Sequence, residues 1–142
     1  MKTQFFSDAI TAISSYLKPA GVEYPAPYAS QLGTLVAGVV NPTESLPIDN
    51  VSIACGGFFE EASKWNEVGS HTPDGSYALF RANSDVIELC SDTYASRPIW
   101  YFHSDELFLA STSQRALICL LGSFSHNEDA ISWGFCHLQG SP

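Results

Sequence analysis

The chain has 142 residues, a length that suits one domain with a sizeable buried core. Hydrophobic residues make up 45% of it and charged residues 15%, which argues against disorder and suggests that another domain or subunit covers part of the surface. The formal net charge of −9 disfavours binding to nucleic acid and to anionic membranes, because both attract clustered Lys and Arg.

The lack of an expected signal peptide or membrane span, together with the pattern of the cysteines, predicts a cytoplasmic protein. The first eight residues hold no long apolar segment followed by small residues, so no signal peptide is expected. No apolar run reaches the roughly 20 residues that a membrane span requires. Four cysteines are spread along the chain, a pattern typical of reduced, buried thiols.

The first half of the chain predicts a helix followed by two strands. Apolar residues at helical spacing indicate a helix over residues 4–17, and residues 19–31, with three prolines, indicate an irregular connector. Buried strands are expected over residues 34–40 and 51–54. Gly56 and Gly57 are expected to break the second strand, and a short helix is predicted over residues 58–66.

The second half predicts two hairpins and two helices. Strands are expected over residues 77–81, 86–90, 99–102 and 107–110. A serine or threonine among residues 111–113 is expected to cap a helix that runs to Leu121, with Gly122 ending it. A last helix is predicted over about residues 128–137. Strands in groups with helices at both ends indicate an α+β fold.

Three segments of this second half resemble one family. Asp74 to Phe80 is similar to a Gly-x-Phe-Ala-x-Ala-Leu-Tyr strand, and Asp92 to Tyr101 resembles Asp-x-x-Gly-x-Arg-Pro-Leu-Tyr-Tyr. Leu107 to Leu117 looks like Phe-x-Ala-Ser-Glu-x-Lys-Ala-Leu with one extra position, and Val51 to Glu60 is a weaker match to a strand leading into Asn-Gly-Glu-Ile-Tyr-Asn. The family motifs that these segments resemble belong to glutamine amidotransferase domains of the asparagine-synthetase type, which are N-terminal-nucleophile (Ntn) folds.

The resemblance implies a fold and a set of structural residues. It implies an Ntn-hydrolase-like αββα sandwich of two antiparallel sheets, trimmed here, formed by residues 1–142 as a single domain. Arg97 is expected to be buried and to pair with Asp92 or with backbone carbonyls. The signature residues carried over from the family are Asp74, Gly75, Asp92, Arg97, Pro98 and Ser111.

The same resemblance implies that glutaminase chemistry is absent. The family uses a cysteine at position 2, freed by removal of Met1, whereas this chain has Lys2. The oxyanion Asn of the family maps onto Cys55, whose thiol is a weak donor. His71 stands where a carboxylate would hold the glutamine amine. The expected site is therefore a vestigial pocket without a catalytic residue or a metal, formed by Cys55, Gly56, Gly57 and His71.

The function implied is that of a non-catalytic amidotransferase-like scaffold in an asparagine synthetase-like, ATP-dependent amide-forming enzyme. Relatives without the cysteine include β-lactam synthetases and lasso-peptide cyclases. ATP and Mg are implied only for a synthetase domain, expected downstream in cis or supplied in trans, and a homodimer of the parent is left open. Two alternatives remain: a stand-alone protein- or ligand-binding module on a reused Ntn fold, and a hydrolase with Cys55 as nucleophile.

Overall fold

The computed structural model describes residues 2–42, 46–60, 63–123 and 125. Two helices lie near the ends of the described part, α1 (Lys2–Leu17) and α2 (Gln114–Leu121). Eight strands lie between them: β1 (Tyr28–Leu32), β2 (Leu35–Val39), β3 (Ile48–Asp49), β4 (Ser52–Glu60), β5 (Asp74–Ala82), β6 (Ile87–Ser91), β7 (Trp100–His103) and β8 (Phe108–Ser111).

The strands form antiparallel sheets. The central sheet has the order β3-β4-β5-β6, and two hairpins, β1-β2 and β7-β8, form separate two-stranded sheets. Each neighbouring pair is antiparallel, and all but β4-β5 are joined by short turns. The predicted α+β class is confirmed at this level.

The two helices pack on the hairpins. α1 contacts β1, β2 and α2, and α2 contacts β7 and β8. Ile10 and Ile13 are buried on the inner side of α1. A Cβ on Gly38 of β2 would overlap the side chain of Ile10, so the glycine allows the helix to approach the strand closely.

One face of the central sheet, called the core face below, carries a hydrophobic cluster, and Ile53 and Ala78 are buried on the other face. Ala54 of β4 pairs with Leu79 of β5, which pairs with Cys90 of β6, so the three side chains form one row. Tyr77 belongs to the same face, because residues two apart in a strand point the same way. Trp65, from the segment between β4 and β5, packs against this cluster. The segment over residues 63–73, termed the cover loop below, therefore lies on this face.

Asparagine side chains join the layers. The amide of Asn41 donates to the carbonyl oxygen of Ser14 at 2.9 Å, which ties the end of β2 to α1. In the turn before β4, the Tyr28 hydroxyl donates to the backbone carbonyl of Asn50 at 2.8 Å, and the Ser30 hydroxyl donates to its side-chain Oδ1 at 2.7 Å. These bonds hold the first hairpin against the central sheet.

Most predicted elements are present. The helix over residues 4–17 is α1, the hairpin over residues 77–90 is β5-β6, and the second hairpin is β7-β8. The helix ending at Leu121 begins after Ser113, whose hydroxyl accepts the backbone N–H of Ala116, and Gly122 ends it in a left-handed conformation. The last predicted helix lies outside the described residues. No helix in the described ranges is both long and apolar enough to cross a membrane.

Three expectations about the first half were wrong. The connector contains a strand, β1, whose half-buried residues alternate with exposed ones from Tyr28 to Leu32. Gly56 and Gly57 do not break β4, which continues to Glu60. The helix predicted over residues 58–66 is absent, because residues 58–60 belong to β4 and residues 63–66 form a turn. Pairing with β5 outweighs the local helical pattern of this segment.

Candidate functional site

Segments from three separate parts of the sequence converge on Tyr77 of β5. Gly56 lies opposite it on β4. The backbone N–H of Asp92 donates to the carbonyl of Tyr77 at 3.2 Å, and the N–H of Tyr77 donates to Oδ2 of Asp92 at 3.0 Å. The hydroxyls of Ser76 and Ser96 are 2.6 Å apart. We call this meeting of β4, β5 and residues 92–97 the Tyr77 junction.

The carboxylate of Asp92 organises the turn that follows β6. Its Oδ1 accepts the backbone N–H groups of Tyr94 and Ser96 at 2.9 and 3.3 Å. Its Oδ2 accepts the N–H of Tyr77 and the hydroxyl of Ser96. Chiefly the Ser96 hydroxyl, helped by these N–H groups, lowers the pKa of Asp92 to about 2. Asp92 is therefore a buried structural anion that holds residues 92–96 against β5.

Gly56 is required at the junction by space and by backbone conformation. Its φ is +134°, a region that side chains rarely allow. A Cβ there would overlap the carbonyl oxygen of Ser76 and would lie 2.8 Å from Cα of Tyr77. The close approach of β4 and β5 explains this glycine without a ligand.

Cys55 is half-buried, and burial raises the pKa of its thiol, although the nearby charge of Arg97 lowers it. A thiol of raised pKa is protonated at neutral pH, so it is a poor nucleophile. By strand alternation Cys55 points to the face opposite the one that the cover loop occupies. His71 is exposed in that loop, and within the described part of the chain no hydrogen bond joins the two side chains.

The remaining residues of the expected site and signature flank the Tyr77 junction or lie beyond it. Gly57 pairs with Ser76 at the exposed continuation of β4. Asp74 and Gly75 begin β5, and Pro98 is exposed before β7. Ser111 ends β8, where its hydroxyl accepts the backbone N–H of Ser113 at 3.0 Å. Only Gly56, Asp92 and their neighbours meet at the junction.

Arg97 is exposed, so the expected burial of this arginine was wrong. The hydrogen bonds that Asp92 accepts from Tyr77, Tyr94 and Ser96 come from the backbone and from a serine hydroxyl. The buried arginine of this protein is Arg81, which is fully enclosed on the core face of β5.

Arg81 connects the cover loop to the sheet. Its Nη1 donates to the carbonyl oxygens of Glu67 and Ser70 at 3.0 and 3.2 Å and to the hydroxyl of Ser70 at 2.7 Å. Its Nη2 donates to Oε1 of Glu88 at 3.2 Å. Its Nε lies 3.0 Å from Oε2 of Glu88 but is not aimed at it, so this contact is an ion pair without a hydrogen bond.

Glu88 completes this cluster from β6. Its Oε2 accepts the backbone N–H of Gly69 at 2.9 Å, and this bond is the main cause of a lowered pKa for the carboxyl, with the charge of Arg81 adding to it. Sequence analysis missed the cluster, although one signal was present. Arg81 shares the strand parity of Tyr77 and Leu79, which places it among core residues, and a hairpin turn at Asn83 to Val86 sets it opposite Glu88.

Comparison of the chain with protein-family models, with curated proteins and with solved structures found no match. Within the described residues, no three side chains of His, Cys, Asp or Glu are grouped so that they could hold a metal ion. The geometry of the junction and of the Arg81 cluster is thus the basis for a functional proposal.

Proposed function

We propose that this domain is a non-catalytic, amidotransferase-like scaffold of an ATP-dependent amide-forming enzyme, on a trimmed Ntn-type fold. The observation that carries the proposal is the Tyr77 junction. Three segments that resemble the family, around Gly56, Asp74 to Tyr77, and Asp92 to Arg97, lie on β4, on β5 and in the turn after β6, and they meet at this junction. Consecutive antiparallel strands are neighbours in any case, so the support comes from the specific contact in which the Asp92 carboxylate of one motif accepts the backbone N–H of Tyr77 in the other.

The chemistry of the site supports a structural role. The Asp92 carboxylate is occupied by donors from its own turn and from β5. The Cys55 thiol has a raised pKa, and it is half-buried. Neither group is arranged to attack an amide, since a nucleophile needs an adjacent base or a lowered pKa. A scaffold requires only that the junction be rigid.

Two assays test the proposal. The first measures ammonia release from glutamine by the purified chain and by Cys55→Ala, at enzyme concentrations that would reveal a few turnovers per hour. We expect no release from either. Release that is lost in Cys55→Ala would contradict the proposal and favour the hydrolase.

The second assay uses the native product isolated from its source cells with an antibody against this chain. Its intact mass is compared with the 15.4 kDa of the present chain, and ATP–pyrophosphate exchange is measured on the same sample. A larger mass, or a co-purified subunit, together with exchange supports the proposal. A mass of 15.4 kDa without exchange in any co-purified fraction would overturn it in favour of the stand-alone binding module.

A further inference from the structure

The β7-β8 hairpin presents an aromatic face. Tyr101 and His103 point the same way on β7, and Phe108, opposite His103 on β8, shares that side. The rings of Tyr101 and Phe108 stack with centroids 6.4 Å apart, and the His103 ring lies 6.3 Å from that of Phe108. All three residues are exposed, Tyr101 at 70% and Phe108 at 39%. We refer to these three residues as the aromatic face.

The opposite side of the hairpin is the one that the protein uses for its own packing. Phe102 and Leu109 pair with each other, and both are half-buried. α2 contacts both strands, so it lies on the side of Phe102 and Leu109. Stacked aromatic rings on the side of the hairpin that α2 does not cover are typical of an interaction surface, because large exposed apolar groups concentrate at such sites.

Charge identifies the kind of partner. The turn between the two strands carries Asp105 and Glu106, both exposed, each two residues away from a ring of the aromatic face, His103 or Phe108. The chain as a whole has a formal net charge of −9. A second copy would bring the same acidic turn to the contact, and an anionic membrane surface would also be repelled. A complementary surface must be apolar at its centre and basic at its rim.

We infer that the aromatic face is a docking site for a protein surface with an apolar centre rimmed by Lys or Arg. The rings form the desolvated centre of the contact, and Asp105 and Glu106 steer the approach of the basic rim. Three rings cover less area than a standard interface, so the contact is weak when it acts alone. This inference stands apart from the proposed function, since it uses no family resemblance.

The test uses two synthetic helical peptides with the same stripe of Leu and Phe, one flanked by Lys and the other by Glu. Each is titrated into the isotope-labelled chain, and backbone amide shifts are followed by NMR. We expect the Lys-flanked peptide to shift amides of residues 100–108 and to bind more weakly as salt is raised. The Glu-flanked peptide should leave these amides unshifted.

Variants separate the face from general charge attraction. Tyr101→Ser with Phe108→Ser should weaken binding roughly tenfold or more, as removal of hot-spot rings does. Asp105→Asn with Glu106→Gln should weaken binding about fivefold at low salt and reduce its salt dependence. The matched control is Val86→Ser with Ile87→Ser, which removes exposed apolar groups elsewhere and should leave binding unchanged.

Other occupants give different results. Equal binding of both peptides, or shifts that map away from residues 100–108, would overturn the inference. Concentration-dependent dimerisation in sedimentation velocity that Tyr101→Ser abolishes would assign the face to a second copy instead. Binding to anionic phospholipid vesicles through the same residues would assign it to a membrane. Each comparison with the unmodified chain remains informative even if one variant fails to fold.

Discussion

Two buried charges lie at β5, one on the strand itself and one against it, and the protein holds them in different ways. The Asp92 carboxylate receives most of its donors from its own turn, from Tyr94 and Ser96, within four residues of it. The Arg81 guanidinium receives its acceptors from elsewhere, from the cover loop at Glu67 and Ser70 and from Glu88 on β6. One charge is stabilised by local structure, and the other by contacts that exist only after folding.

This difference shows which parts of the fold depend on contacts between segments that are far apart in the sequence. A carboxylate whose hydrogen-bond donors come from the residues just after it is satisfied within its own turn. Such a turn does not depend on contacts with distant segments. A buried guanidinium needs a complete set of acceptors at once, because each missing acceptor leaves a donor unsatisfied in the core. The Arg81 cluster should therefore respond to mutation more strongly than the Asp92 turn does.

The largest effect is expected for Arg81→Ala. The substitution removes the guanidinium that binds the cover loop and leaves carbonyl groups and Glu88 without their donor. We expect a loss of about 3 kcal/mol in the free energy of unfolding, because the carbonyls of Glu67 and Ser70 lose their donor at roughly 1 to 3 kcal/mol each. Urea denaturation at pH 7 followed by Trp fluorescence measures it. The conservative control is Arg81→Lys, which keeps the positive charge but not the planar set of guanidinium donors. It should therefore lose less stability than Arg81→Ala.

A loss below about 1 kcal/mol for Arg81→Ala would show that the cover loop stays folded without its arginine. Backbone amide exchange at Gly69 gives a second readout. This N–H donates to Glu88, so its exchange should become faster in Arg81→Ala if the loop loosens.

Gly56→Ala should have the next largest effect. The added Cβ would overlap the Ser76 carbonyl, and the backbone would have to keep a φ of +134°, so β4 must move away from β5. We expect a destabilisation of about 2 to 3 kcal/mol from strain and overpacking together. Gly33→Ala is the control, because its φ is also positive, +59°, but no atom lies within 4 Å of its Cβ position. A Gly56→Ala variant as stable as Gly33→Ala would show that the strands are not held as closely as the geometry indicates.

Asp92→Asn tests the locally held charge through its dependence on pH. The folded pKa of about 2 lies below the ordinary value of 3.8, so the ionised carboxylate adds stability that is fully present above about pH 4. That stability is lost as pH falls through about 2. The midpoint of urea denaturation should therefore differ most between the two proteins at pH 7, and the difference should shrink toward pH 2. A difference that stays constant over this range would show that the charge of Asp92 adds no stability. The control is Asp105→Asn, in an exposed turn.

The same contrast decides what could be predicted from the sequence. Local signals were sufficient for α1, for both hairpins between residues 74 and 111, and for the caps of α2, because each depends on residues within a few positions. They failed at Gly56 and Gly57, where pairing with β5 keeps a glycine pair inside a strand. They also failed for β1, where two prolines at positions 25 and 27 obscured a strand that begins directly after them.

The candidate site follows the same division. Asp92 was identified from the resemblance, and its turn is built from neighbouring residues. The buried arginine was assigned to Arg97, because that residue matched the motif, whereas the structure buries Arg81. Whether a charge can be buried depends on acceptors from other segments of the chain. The sequence around Arg81 does not predict that the carbonyls of Glu67 and Ser70 will accept its hydrogen bonds.

The smallest effect on stability is expected for Arg97→Ala, and it contrasts with Arg81→Ala because Arg97 is exposed, whereas Arg81 is buried. Because Arg97 is exposed, the loss should stay within about 0.5 kcal/mol, typical of a surface substitution. Its charge nevertheless lowers the pKa of the Cys55 thiol. Removing that charge should raise the pKa of the thiol further and reduce the thiolate fraction, so alkylation of Cys55 by iodoacetamide at pH 8.5 should slow. Cys55→Ala identifies the signal that belongs to this thiol in the mass spectrum. A large loss of stability in Arg97→Ala would show that this arginine, like Arg81, holds the fold. Faster alkylation would show instead that the guanidinium restricts access to the thiol more than it stabilises the thiolate.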